Sequence, residues 1–176
     1  MRRQDPLANT GALIRRVYSY VAYRIGDGPE AEDVTSEVFE RALRYRSSYD
    51  RSRGRPLPWL LGIARRCVDD ALVHRPTTAD LEAAEESSGE DLEGEAVQRL
   101  AVAAALERLD DRGRELIALR YGADLRAREI ADVLGMKTNA VEVALHRTLS
   151  RMRSELDDSP PGRHSPRAEP APRIIP

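Results

Sequence analysis

Ile130-Ala131-Asp132-Val133-Leu134-Gly135-Met136-Lys137-Thr138-Asn139-Ala140-Val141 sets a small residue, a turn glycine and an apolar residue at intervals of four and six. That spacing predicts a helix-turn-helix. Ala131 lets two helices cross closely, Gly135 permits a positive φ in the turn, and Val141 wedges between them. The second helix starts at Thr138 and turns Val141, Leu145, Leu149 and Met152 inward at helical spacing. A plain helical hairpin can carry the same triplet, so the surrounding sequence has to decide.

Upstream, Val97, Leu100, Ala104, Leu106 and Leu109 form one apolar face. Asp110 or Asp111 can cap a following helix whose apolar residues are Leu116, Ile117 and Leu119, running into Arg120-Tyr121. This gives a helical module over residues 96–156. A second module is legible over residues 8–75. There Leu13, Ile14, Val17, Val21 and Ile25 share a helical face, and Gly26, Gly28 and Pro29 end that helix and begin the next. The next runs through Val34, Val38, Phe39 and Leu43, with Glu30, Glu32 and Asp33 at its positive end. After a loop from Tyr45 to Arg55, Pro56 and Pro58 introduce a third helix with Trp59, Leu60, Ile63, Cys67 and Leu72 inward. Three helices with short connections make a small bundle.

The charge of the 176-residue chain sums to −2 but is unevenly placed. Residues 1–75 carry +4, residues 76–95 carry eight acids and no base, and residues 96–156 carry +2. A like-charged stretch with little large apolar content cannot offset its ordering entropy, so 76–95 is expected to be a disordered acidic linker. The tail, 157–176, holds six of the 11 prolines and is expected to be disordered too. The predicted fold class is therefore all-α: a three-helix bundle and a helix-turn-helix domain joined by a flexible acidic linker. A uniformly basic nucleic-acid coat is excluded. The single cysteine, Cys67, excludes an internal disulfide framework, and its inward position makes it a buried hydrophobe. No apolar run reaches the roughly 18 residues needed to cross a bilayer, and Met1-Arg2-Arg3 is not followed by a signal-type apolar stretch. A cytoplasmic protein without membrane insertion is expected. His74, His146 and His164 lie on three separate elements without ligand spacing, so no metal and no cofactor is expected. No phosphate loop or nucleophile motif is present, which argues against an enzyme.

With both modules in place, the chain resembles bacterial sigma factors of the extracytoplasmic-function type, the group 4 branch of the sigma-70 family. Pro29-Glu30-Ala31-Glu32-Asp33-Val34-Thr35-Ser36-Glu37-Val38-Phe39 is similar to that family's acidic signature, and Trp59-Leu60-Leu61-Gly62-Ile63-Ala64-Arg65-Arg66 with Asp70 to its tryptophan-led helix. Leu106-Glu107-Arg108-Leu109, Arg114-Glu115-Leu116, Leu119-Arg120-Tyr121, Glu129-Ile130-Ala131 and Leu134-Gly135 follow its −35-reading domain. The resemblance implies a first module that is sigma region 2, binding core RNA polymerase and melting the −10 element, and a second that is sigma region 4, reading the −35 element. The partners it implies are core RNA polymerase, through its β′ clamp and β flap, promoter DNA, and an anti-sigma factor held between the modules.

The candidate polymerase-binding residues are Glu32, Asp33, Ser36, Glu37 and Glu40, placed on the outer side of the second helix. Helix-dipole compensation plus a solvated face would give the same run. For −10 DNA the candidates are Tyr45, Arg46, Tyr49, Arg51, Arg53 and Arg55 on the loop, with Arg65 and Arg66 on the next helix. Strand separation needs cations for phosphates and flat surfaces for unstacked bases, although Tyr49 can also pack inward. For −35 DNA they are Arg126, Arg128 and Lys137, with the amides at the Thr138 end, toward phosphates, and Glu142, Val143, His146 and Arg147, which the resemblance places toward base edges, with Asn139 a further candidate at the start of that helix. Here the chain departs from the family: its Gly-Thr-Val-Lys-Ser-Arg run is replaced by Asn139-Ala140-Val141-Glu142-Val143-Ala144. An unusual −35 sequence, or weak reliance on one, is expected. Two other readings compete: a degenerate sigma-like adaptor that binds protein but no DNA, and a free-standing helix-turn-helix regulator. The near-neutral charge counts against the regulator, because duplex affinity without polymerase needs several neutralised phosphates.

Overall fold

The computed structural model describes residues 5–74 and 101–157, leaving the acidic linker and all but Asp157 of the proline-rich tail outside the described residues. All regular structure among the described residues is helical. The first module comprises α1 (Thr10–Ile25), α2 (Pro29–Arg44) and α3 (Pro56–His74). Gly26 and Gly28, at φ +99° and +134°, make the sharp break between α1 and α2 that residues with a Cβ would resist. Pro29 sits in the first turn of α2, where its missing N–H leaves no bond unmade. The loop that follows is wound into two short 3-10 turns, Arg46–Ser48 and Arg51–Arg53.

The second module comprises α4 (101–107), α5 (Asp111–Ile117), α6 (Ala127–Leu134) and α7 (Thr138–Asp157). Asp110 caps α5, its Oδ1 accepting from Gly113 N at 2.9 Å. Asp110→Ala is expected to cost about 1 kcal/mol of stability, read as a lower denaturant midpoint at unchanged slope. A π-helical turn, Ala118–Gly122, continues α5 where a plain helix was expected. The helix-turn-helix matches the sequence reading: Gly135 is left-handed at φ +65°, and Ala131 and Val141 are buried between α6 and α7.

Three faces differ in detail from expectation. Ile14 and Leu43, expected inward, are exposed, and Ala105 rather than Ala104 is buried under α4. In their place the core takes Tyr20 and Arg24 from α1 and Ala42 from α2. Cys67 is buried as expected, and burial pushes its thiol up from the ordinary range. The two modules also share a core: Tyr20 and Val21 of α1 belong to one apolar cluster with Leu116, Leu119, Leu125 and Val141.

Candidate nucleic-acid and protein interfaces

Three exposed surfaces carry the candidate residues. On α2, Val34, Val38 and Ala42 face the core, which rotates Glu32, Asp33, Ser36 and Glu40 to the solvent. Glu37 is half-buried beside them, 2.5 Å from Arg41 Nη2, which also reaches Asp70 Oδ2 at 2.9 Å. Those two carboxylates, Asp70 first, hold the Arg41 guanidinium above its usual pKa. Ser36 Oγ donates to the carbonyl of Glu32 within the helix, at 2.9 Å. The acidic ridge is thus Glu32, Asp33 and Glu40, with Glu37 tied to its own module.

The second surface is the loop and the start of α3. Tyr45 stands 52% exposed at the mouth of a groove lined by Ser48, Pro58, Trp59, Gly62, Ile63 and Arg66. Arg66, which lines it, is exposed; Arg46 and Arg51 are exposed on the loop, Arg46 reaching Asp5 at 3.8 Å and Arg51 lining a separate cleft with Asp5, Tyr49 and Arg55. Tyr49 does another job. Its ring packs on Trp59 with centroids 5.4 Å apart, and its hydroxyl donates to the carbonyl of Gly54 at 2.8 Å, so it braces the loop. The side chain of Arg53 is outside the described residues. Arg55 and Arg65 are engaged by the second module: Arg55 pairs with Glu129, and Arg65 Nε lies 2.9 Å from Glu115 Oε1. A groove with an exposed aromatic, a tryptophan wall and one guanidinium group at its edge can hold an unstacked base and a phosphate.

The third surface is the outer side of the helix-turn-helix. With Val141, Leu145 and Met152 buried, Asn139, Glu142, Val143, His146 and Arg147 are exposed on α7, the face that can enter a major groove. Arg126, Arg128 and Lys137 are exposed at the two ends of α6, and Thr138, half-buried, opens α7. Glu129 Oε2 accepts from the backbone N of Arg126 at 2.9 Å, fixing the start of α6. Among the described residues no group of His, Cys, Asp and Glu could hold a metal, and no helix is long and apolar enough to cross a membrane.

Sequence reasoning missed the charged centre where the modules meet. Tyr20, Arg24, Arg65 and Glu115 converge there, and Glu115 is only 8% exposed. Tyr20 donates to both Glu115 oxygens, at 2.9 and 3.2 Å. Burial first, and the Glu115 charge second, raise the Tyr20 hydroxyl well above its usual pKa, so it remains a donor. Arg24 Nε is 3.0 Å from Glu115 Oε2, an ion pair whose N–H is not aligned for a hydrogen bond, while Arg24 Nη1 donates to the carbonyl of Asp111 at 3.2 Å. The one signal in the sequence is that Tyr20 and Arg24 continue the Val17–Val21 stripe of α1.

The family model described as Sigma-70 region 2 matches residues 11–75, and that described as Sigma-70, region 4 matches residues 99–152. The ECF RNA polymerase sigma factor BldN of Streptomyces coelicolor is 35% identical over 150 residues, covering 81% of this chain but only 56% of BldN. SigD of Mycobacterium tuberculosis, also an ECF RNA polymerase sigma factor, is 35% identical over 154 residues, covering 80% of this chain and 71% of SigD. SigK of Mycobacterium ulcerans is 28% identical over 152 residues, covering 82% and 81%. In fold, the chain is similar to CnrH, solved with the cytosolic domain of CnrY (24% identity, TM-score 0.62, covering 87% of this chain and 86% of that one). It is similar also to the sigma factor RpoE of Bartonella quintana, solved with the anti-sigma factor NepR (17% identity, TM-score 0.61, covering 86% and 96%).

Proposed function

The chain belongs to the ECF group of sigma-70-type RNA polymerase sigma factors, and from that membership we propose a division of labour among its three exposed surfaces. The acidic ridge of α2, Glu32, Asp33 and Glu40 with Ser36 and Glu37 beside them, docks on a basic surface of the polymerase β′ clamp. The groove of Tyr45, Trp59 and Arg66 captures a base of the unwound −10 strand, with Arg46, Arg51, Arg53, Arg55 and Arg65 along its phosphates. The outer face of α7 reads the −35 duplex, held in register by Arg126, Arg128, Lys137 and Thr138, while the second module also meets the β flap. In this reading the polymerase makes the phosphodiester bonds and the chain directs where it starts, in the cytoplasm, where that machine is. A partner of anti-sigma type, as in the RpoE complex with NepR, would act by covering these surfaces.

The observation that carries this reading is the pairing of an exposed cation–aromatic groove in one module with an exposed α7 face in the other. Promoter-dependent RNA made by purified core polymerase only when the chain is added, on a randomised promoter library, tests it. Core binding without such RNA would support the adaptor reading, which the acidic Glu142 and the small Ala144 on α7 favour.

Glu142 can accept from cytosine N4, Val143 can meet a thymine methyl, and Arg147 can fork onto guanine. Arg147→Ala is expected to weaken preference at a single −35 base by about 1–3 kcal/mol in a binding-site selection experiment. A uniform loss across all sequences would reassign Arg147 to a phosphate.

A further inference from the structure

The turn that precedes α1 is built into the loop face of the first module. Asp5 Oδ1 accepts from the backbone N of Leu7 at 3.1 Å, the N of Ala8 donates to the carbonyl of Asp5 at 3.1 Å, and Thr10 Oγ1 donates to the carbonyl of Leu7. Pro6 and Leu7 are buried, which anchors the turn. Asp5 itself is exposed, and its Oδ2 lies 3.8 Å from Arg46 Nη1, too far for a hydrogen bond. Between turn and loop lies a cleft of about 360 Å³, lined by Asp5 and Pro6 from the turn and by Tyr49, Arg51, Arg55 and Pro56 from the loop and the start of α3. That volume falls in the range of ligand pockets, about 300–1,000 Å³.

The cleft and the Tyr45 groove share a wall. Trp59 lines the groove, Tyr49 lines the cleft, and their rings meet with centroids 5.4 Å apart. The Tyr49 hydroxyl, bonded to the carbonyl of Gly54, keeps that wall in place. A strand with one base in the groove therefore meets a second opening across the wall for a neighbouring base. The polar groups there have a definite order. Asp5 Oδ1 is committed to Leu7, which leaves Oδ2 as an acceptor. Arg55 is paired with Glu129, whereas the exposed Arg51 brings five N–H donors, enough to hold a phosphate and still reach a base. Cytosine and adenine present an exocyclic amine beside a bare ring nitrogen, a donor next to an acceptor. Thymine and guanine present a carbonyl oxygen beside a ring N–H, the reverse order.

We infer that this cleft is a second base site beside the −10 groove, in which Asp5, with Arg51 as donor, selects an unpaired amino-bearing base, cytosine or adenine, over thymine or guanine. The inference rests on the −10 role proposed for the loop. Asp5 and Pro6 lie upstream of residues 11–75, the stretch that matches Sigma-70 region 2, so the selecting carboxylate comes from outside that match.

The test uses the full-length chain assembled with core polymerase and a fork template whose non-template strand is single-stranded over the −10 stretch. Each position in turn carries C, A, T or G, and affinity is read by fluorescence anisotropy. Wild type is expected to show, at one position, a preference of at least about fivefold for C or A over T and G. Asp5→Asn keeps an oxygen for Leu7 N and turns the other atom into a donor, so the preference at that position should vanish or invert toward T and G. Preferences at the other positions and affinity for core polymerase should stay as in wild type, which a general loosening of the turn would not give. Arg51→Ala should weaken the same preference without inverting it. A wild type with no amino-base preference at any position overturns the inference, as does a preference that Asp5→Asn leaves unmoved. Wild-type holoenzyme that ignores the single-stranded −10 stretch altogether would overturn the −10 role of the loop, and this inference with it.

Discussion

Glu32→Lys, Asp33→Lys and Glu40→Lys combined are expected to lower affinity for core polymerase at least a hundredfold and to abolish promoter-dependent transcription. The three side chains are exposed on one side of α2, away from the buried Val34, Val38 and Ala42. Reversing them changes the ridge by six charge units. Juxtaposing like charges across an interface costs several kcal/mol, and each 1.4 kcal/mol is tenfold in affinity. Stability should change little, because Glu37, Arg41 and Asp70 keep their contacts and only some helix-dipole compensation by Glu32 is lost, about 0.3–1 kcal/mol. Anisotropy of the labelled chain titrated with core polymerase measures the loss, and circular dichroism checks the fold. Salt supplies an independent sign: raising it should weaken wild-type binding and relieve the repulsion in the variant. Unchanged affinity in the triple variant would move the docking surface off α2.

How far the sequence carried depended on where each residue's partner lies. Element boundaries were legible because their causes are local: Gly26, Gly28 and Pro29 break the chain between α1 and α2, Pro56 opens α3, and Gly135 adopts the positive φ that its place after Leu134 suggested. Val141 was legible for the same reason, being six residues from its turn. Faces were less secure at helix ends. Ile14 and Leu43 fit the apolar period, yet each lies within a turn or so of its helix terminus and is exposed. The charged centre was illegible because the burial of Tyr20 and Arg24 depends on Glu115, 95 and 91 residues away, and no local period encodes that pairing. Long separation in sequence also hid the engagement of Arg55 by Glu129 and of Arg65 by Glu115, which as loop and helix cations read simply as free contacts for DNA. A flexible acidic linker implied two independent heads; the shared core followed from Gly122, whose missing side chain has no meaning until Ser19 is set against it.

Tyr45→Ala combined with Arg66→Ala should leave holoenzyme assembly intact and eliminate promoter melting. Both side chains are exposed at the same groove, Tyr45 at its mouth and Arg66 on its rim, and both lie outside the packed core. Tyr49 and Trp59 brace one another, so truncating either would disturb the loop as well as the contact; Tyr45 and Arg66 avoid that confusion. A base stacked on an aromatic contributes about 1–3 kcal/mol, comparable with the few kcal/mol needed to extrude it. Removing the platform therefore tips strand opening from near balance to unfavourable by ten- to a hundredfold, and the lost guanidinium removes about one phosphate contact. Permanganate reactivity of unpaired thymines near the −10 element reads the defect directly. A template already mismatched over that stretch supplies the opening energy in advance and should restore most of the transcription, which a misfolded or polymerase-blind chain could not recover. Thymine reactivity at the wild-type level on duplex DNA would place the melting surface elsewhere than this groove.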